Sequence, residues 1–154
     1  MPSRMLLAID PGLSGGLSLY TEGAGVLAVA MPPTEGDGVT LLRRYKEIGL
    51  EMAVVENVPW VVGSKVNPAS TGKLQRNVGV IHGALLGLGI QHRLVAPQDW
   101  QRPLRLGTCS ACSGSTEWKN KLKAEAQRRF PHITVTLATA DSLLILDWAR
   151  TLGF

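Results

Sequence analysis

Apolar residues recur along the chain in two rhythms. Arg4 to Asp10 is a short apolar run that ends in an acid and meets Pro11-Gly12 and then Gly15-Gly16, the composition of a strand followed by a tight turn. Leu17 and Leu19, then Val26 to Met31, give two more apolar stretches punctuated by Gly23 and Gly25, which predicts three hairpin-connected strands ending at Pro32-Pro33. Val39, Leu41, Leu42, Tyr45 and Ile48 fall at helical spacing, with Gly49 as the stop. Met52 to Val55 predicts a fourth strand ending in Glu56-Asn57, with Pro59 preventing much continuation.

Val58 to Pro68 has the composition of a loop. Beyond it Leu74, Val78, Ile81, Leu85 and Leu88 form the stripe of an amphipathic helix, although glycines at 79, 83, 87 and 89 weaken it, so that packing against a sheet or a partner has to compensate. His92 to Ala96 predicts a fifth strand, Asp99, Trp100 and Pro103 a short helical turn, and Gly107 to Ser115 a small-residue loop. Glu117 to Phe130 and Ala138 to Leu152 predict the last two helices. Three strands in a meander followed by alternating helices and strands imply an α/β chain with a mixed sheet and helices on its faces. There is no internal repeat and no extended linker.

Length and composition narrow the class. A chain of 154 residues fits one domain with one sizeable core, here expected over 1–154. The longest apolar stretch, Val78 to Ile90, is interrupted by His82 and glycines and falls short of the roughly 20 residues of a membrane span. Only Leu6 to Ile9 run together near the start, so no secretory core is expected and the predicted location is cytoplasmic. Cys109 and Cys112 are too few for a disulfide scaffold; they have the spacing of half a zinc site without a second pair, and read as a redox pair or free thiols.

Charge is unevenly placed. The net charge is +4, but residues 102 to 130 hold seven basic side chains against two acidic, which suits either a polyanion-facing surface or a solvated helix face.

Three acids occupy positions where a site can form: Asp10 ends the first strand, Glu56 ends the fourth, and Asp141 opens the last helix. Strand ends deliver side chains to the crevice of an open α/β sheet. Carboxylates gathered there repel unless a cation neutralises them, and oxygen ligands suit Mg²⁺ or Mn²⁺. Beside a basic segment, that combination points to metal-assisted phosphodiester hydrolysis, in which two cations about 3.5–4 Å apart activate water and steady the leaving oxygen.

Ala8-Ile9-Asp10-Pro11-Gly12-Leu13-Ser14-Gly15-Gly16 resembles the opening of RuvC-like Holliday junction resolvases, whose first strand carries a catalytic Asp within an Ile-Asp-Pro-Gly turn. Val54-Val55-Glu56-Asn57-Val58 is similar to their second catalytic strand, and Ala140-Asp141-Ser142-Leu143-Leu144 to their C-terminal Ala-Asp helix. Ser70-Thr71, Gly79, Gly83 and Val95-Ala96-Pro97 with Trp100 match the placement of the intervening pattern in the phage-type branch. The resemblance implies a ribonuclease H-like fold (a three-strand antiparallel meander plus two parallel strands, with helices on both faces). It also implies a homodimer, without a nucleotide cofactor or membrane, that nicks both opposed strands of a four-way DNA junction. On that resemblance Asp10, Glu56 and Asp141 are the catalytic metal ligands, for two Mg²⁺ or Mn²⁺ ions.

The match departs at one place. The family usually offers a further Asp or His shortly before the Ala-Asp pair, whereas this chain has Leu137 and Ala138 four and three residues before Asp141. On a continuous helix Ala138 would share the face of Asp141, making it a vacated ligand position that either inactivates the enzyme or weakens a second metal site. Trp60 either wedges into an opened junction or packs on the surface. Lys65 in the same loop, Lys119, Lys121 and Lys123 on the basic helix, and Arg76 are candidate phosphate contacts. The alternatives are a junction-binding protein that has lost catalysis, another ribonuclease H-like nuclease acting on flaps or RNA:DNA hybrids, and a fragment of an actin-like ATPase. Length argues against the last, because such ATPases close two domains around nucleotide.

Overall fold

The computed structural model describes residues 3–58 and 67–154. Five strands, β1 (Met5–Asp10), β2 (Gly16–Thr21), β3 (Gly25–Ala30), β4 (Met52–Glu56) and β5 (Gln91–Val95), form one sheet in the order β3-β2-β1-β4-β5. β1, β2 and β3 pair antiparallel as hairpins, whereas β4 lies parallel to both β1 and β5. This is the mixed sheet expected of the sequence, with β1 at its centre.

Alternation along β1 divides the core in two. Met5, Leu7 and Ile9 join Leu42, Tyr45, Ile81 and Leu85, which belong to α1 (Glu35–Glu47) and α2 (Pro68–Gly87). Leu6 and Ala8 join Trp118, Leu122, Leu143 and Leu144, from α4 (Ser115–Arg129) and α5 (Ala140–Thr151), together with Trp100 of the short α3 (Pro97–Gln101). Helices therefore cover both faces of the sheet. Among the described residues no helix is long and apolar enough to cross a membrane.

Helix starts depart from the apolar pattern because caps set them. α1 begins before Val39, where the Thr34 hydroxyl accepts from the Asp37 N–H at 3.1 Å. α2 begins before Leu74, where the Asn67 side chain accepts from the Ala69 N–H at 2.9 Å and Pro68 occupies the first turn.

The start of α5 needs a correction. Thr136 and Thr139 bond reciprocally, each backbone N–H donating to the other's hydroxyl, at 3.1 and 3.3 Å. These local bonds hold residues 137–139 in a turn. The helix begins at Ala140, so Ala138 is not one helical turn behind Asp141.

Candidate active site

Two-residue periodicity aims two of the acids. Asp10 follows Leu6 and Ala8 on the α5 side of β1, and Glu56 follows Val54 on the same side of β4. Ile9 lies opposite Val55 in the parallel ladder, so Asp10 and Glu56 leave neighbouring strands at the same level. Asp141, the second residue of α5, comes to them from the helix layer above.

Specific contacts hold Asp10 and Glu56, and others fix the start of the helix that carries Asp141. Asp10 Oδ1 accepts the Gly12 N–H at 3.2 Å, and the turn closes through Gly15 N–H to the Gly12 carbonyl at 2.9 Å. A Cβ on Gly15 would fall 2.6 Å from Asp10 Cγ and 2.8 Å from its Oδ2, so only glycine leaves the carboxylate in place. The Asn77 side chain, buried on α2, donates to the Pro11 carbonyl at 2.8 Å and fixes the same turn from outside. Glu56 Oε2 accepts the indole N–H of fully buried Trp100 at 2.8 Å. Beside Asp141, Ser142 donates to the Thr139 carbonyl at 3.0 Å and shares a buried bond of 2.7 Å with Ser18 of β2. A Cβ on Gly16 would lie 2.6 Å from the Ala138 carbonyl oxygen, so the approach of α5 to β2 also requires glycine.

Electrostatics follow from this burial. Desolvation holds Asp10 above its ordinary value of 3.8, against the Gly12 N–H and the Lys119 ammonium. Burial, then the charges of Asp10 and Asp141, push Glu56 up to about 8, although the Trp100 bond favours its ionised form. Burial and the Asp10 charge push Asp141 up to about 7, again opposed by Lys119. Near neutral pH the protein alone cannot keep all three ionised. Among the described residues no three His, Cys, Asp or Glu side chains stand close enough to form a finished coordination shell. The acids share a field without closing into a cage. Carboxylate oxygens are the donor type that a hard divalent cation takes, so the chemistry of the three side chains, though not a closed geometry, suits such an ion.

A cavity of about 530 Å³ opens onto Asp10 and Asp141, with Lys119, Leu13, Leu74 and Leu137 among its walls. The position facing it from before α5 is therefore Leu137 instead of Ala138. Lys119 stands at the cavity, and Lys123 lies one turn along the same side of α4. Lys121 turns away and pairs with Glu117 at 3.7 Å. Arg76 pairs with Glu35 at 2.6 Å beside a neighbouring cleft that includes Lys73. Trp60 and Lys65 lie outside the described residues. At the end of α4 Glu125 binds Arg128 at 2.6 Å and Arg129 at 2.7 Å, and Arg129 also reaches Asp147 at 2.6 Å.

Sequence reasoning missed Asn77 and the Trp100 bond to Glu56. Asn77 carried a signal, since it is a polar residue on the apolar side of α2, between Leu74 and Ile81. Trp100 carried none, because its partner is 44 residues away.

No protein-family model matches the chain, and no curated protein is significantly similar to it. Solved structures do match. RuvC from T. thermophilus, in complex with a Holliday junction substrate, aligns at a TM-score of 0.59 with 14% identity, over 97% of this chain and 96% of that one. The chain has the RuvC fold. A further structure of Thermus thermophilus RuvC aligns at a TM-score of 0.54 with 16% identity, over 97% of each chain. At these identities the likeness extends to the arrangement of strands and helices, and the ribonuclease H-like reading of the sheet stands.

Proposed function

We propose that residues 1–154 form one nuclease domain that resolves four-way DNA junctions by paired, divalent-cation-dependent nicks. The observation that carries this reading is the placement of Asp10, Glu56 and Asp141 at the ends of β1 and β4 and the start of α5, with Asp10 and Asp141 opening onto a cavity that Lys119 also lines. The RuvC fold, including a neighbour solved with a Holliday junction substrate, supports DNA as the polyanion.

Asp10, Glu56 and Asp141 would hold the cations, which supply countercharge to the acids and Lewis acidity toward a phosphate oxygen. The other parts of the site are the chain's own. Trp100 orients Glu56, the Gly12 N–H and Asn77 hold the Asp10 turn, and Lys119 presents positive charge where a backbone phosphate enters. Lys123 and Arg76, with Trp60 and Lys65 of the sequence after Glu56, extend the contact along the DNA.

Two such sites related by a two-fold axis would cut opposed strands. α2 supports the dimer: Gly72, Gly79, Gly83 and Gly87 share one exposed side, and a Cβ on any of them would meet nothing within 4 Å. Their smallness therefore serves no packing within the described chain and suits close approach of a second copy.

A second reading, a junction-binding protein with lost catalysis, is favoured by Leu137 and Ala138, neither of which can bind a cation, standing four and three residues before Asp141 where an acid or histidine would add a ligand. Incubating junctions with the protein in Mg²⁺ or Mn²⁺ separates the two. Nicks that disappear in Asp10→Asn while binding persists support the nuclease, and binding without nicks in the unaltered protein supports the second reading.

A further inference from the structure

Away from the carboxylates, α2 and β5 bring two imidazoles together. His82 Nδ1 stands 3.1 Å from His92 Nε2, with the ring centroids 5.1 Å apart and the planes inclined by 60°. Both rings are half-buried. His92 Nδ1 lies 3.3 Å from the Ile90 carbonyl oxygen, which can only accept, so Nδ1 carries the proton and Nε2 presents its lone pair toward His82. In the metal-free protein His82 Nδ1–H donates to that lone pair.

A donated carbonyl contact behind the ring is also the arrangement that orients metal-binding histidines. Two imidazole nitrogens at about 2.0–2.1 Å from a tetrahedral cation are about 3.3–3.4 Å apart. The observed separation is within a few tenths of an ångström of that bite, and both rings can pivot because neither is fully packed. An open cavity of about 390 Å³ lined by Leu86, Gly89, Ile90, Gln91 and His92 reaches one ring of the pair from solvent.

We propose that His82 and His92 form a bidentate site for a borderline-soft divalent cation of the zinc class, separate from the carboxylate site. Imidazole pairs favour Zn²⁺, Ni²⁺ or Cu²⁺ over the hard Mg²⁺ that suits Asp10 and its neighbours. On binding, the His82 proton moves from Nδ1 to Nε2, freeing Nδ1 as a ligand, and the His92 tautomer is unchanged. The cation then crosslinks α2 to β5.

The test is calorimetric titration of the full chain with Zn²⁺ in excess Mg²⁺, in a Cys109→Ser/Cys112→Ser background that removes thiol ligands. One equivalent per chain is expected to bind, with affinity falling about tenfold or more in His82→Asn and in His92→Asn, and no change in His132→Asn. Imidazole ¹⁵N shifts of the chain with both histidines intact, followed during the same titration, are expected to move at His82 and His92 and not at His132, which holds the test even where a variant folds poorly. Zn²⁺ binding that is absent, that is undiminished in both variants, or that shifts other groups instead of this pair overturns the proposal. None of these outcomes depends on nuclease activity.

Discussion

Trp100 donates its indole N–H to Glu56 across 2.8 Å from a ring with no solvent exposure. The contact joins the α3 turn to the end of β4, and among the described residues it is the one polar bond that favours ionised Glu56 against burial and two neighbouring acids. Trp100→Phe keeps an aromatic in place and removes the donor. An unpaired buried acceptor costs about 1–3 kcal/mol, so stability in urea should fall by that order, and the alkaline rise of the cleavage pH profile should move to higher pH. A profile that does not move would reduce Trp100 to packing.

Gly15 is expected to be intolerant for a local reason. The alanine Cβ would occupy the space of the Asp10 carboxyl group, so Gly15→Ala should reduce cleavage in Mg²⁺ severely while junction binding in Ca²⁺ changes little. Gel-shift and cleavage assays on the same preparation check this. Equal loss of binding would indicate that the whole turn has collapsed.

Stability should decline with pH in the metal-free protein. Glu56 moves from 4.5 to about 8 and Asp141 from 3.8 to about 7. The folded state therefore keeps protons that the unfolded chain releases above its ordinary carboxyl values. Stability is greatest below those values and is lost as pH rises through roughly 4 to 8, at about 1.4 kcal/mol per pH unit of separation for each group at most. Glu125, held at about 2 chiefly by its bond to Arg128, acts oppositely and in a lower window, its contribution vanishing as pH falls from about 4.5 toward 2. Urea melts at pH 5.5 and 8 should show the decline, and Mg²⁺ should raise stability more at pH 8. A metal effect equal at both values would contradict the shared field.

How far the sequence reads depends on the range of the determining interaction. β1 and β4 were legible because two-residue alternation places Asp10 with Leu6 and Ala8, and Glu56 with Val54, without reference to any distant residue. The start of α5 was not, because the reciprocal Thr136 and Thr139 bonds override the apolar pattern that extends back to Ala138. Glu125 lies three and four residues before Arg128 and Arg129, a helical spacing that predicts their pairing. The exposed glycine side of α2 illustrates the reverse: the sequence required a packing partner for that helix, and the described chain supplies none at those glycines.

The turn before α5 makes positions 137 and 138 unequal. Leu137 is on the cavity wall with Asp10 and Asp141, whereas Ala138 directs its carbonyl toward Gly16. Leu137→Asp should tighten Mg²⁺ binding, measured by calorimetry, and raise the cleavage rate, whereas Ala138→Asp should do neither. The opposite ranking would place the missing ligand at 138 and require a different path for the chain before α5.

Whether Asp10, Glu56 and Asp141 cut branched DNA, as proposed, is decided by one cleavage panel. A four-way junction, a flap and an RNA:DNA hybrid are each incubated with the protein and with Asp10→Asn in Mg²⁺ and in Mn²⁺, and the products are sized on denaturing gels. The account predicts paired nicks at symmetric positions in the four-way junction, little cutting of the other two substrates, and none by Asp10→Asn. Preferential cutting of the flap or hybrid, or no cutting of any substrate in either metal, would contradict it.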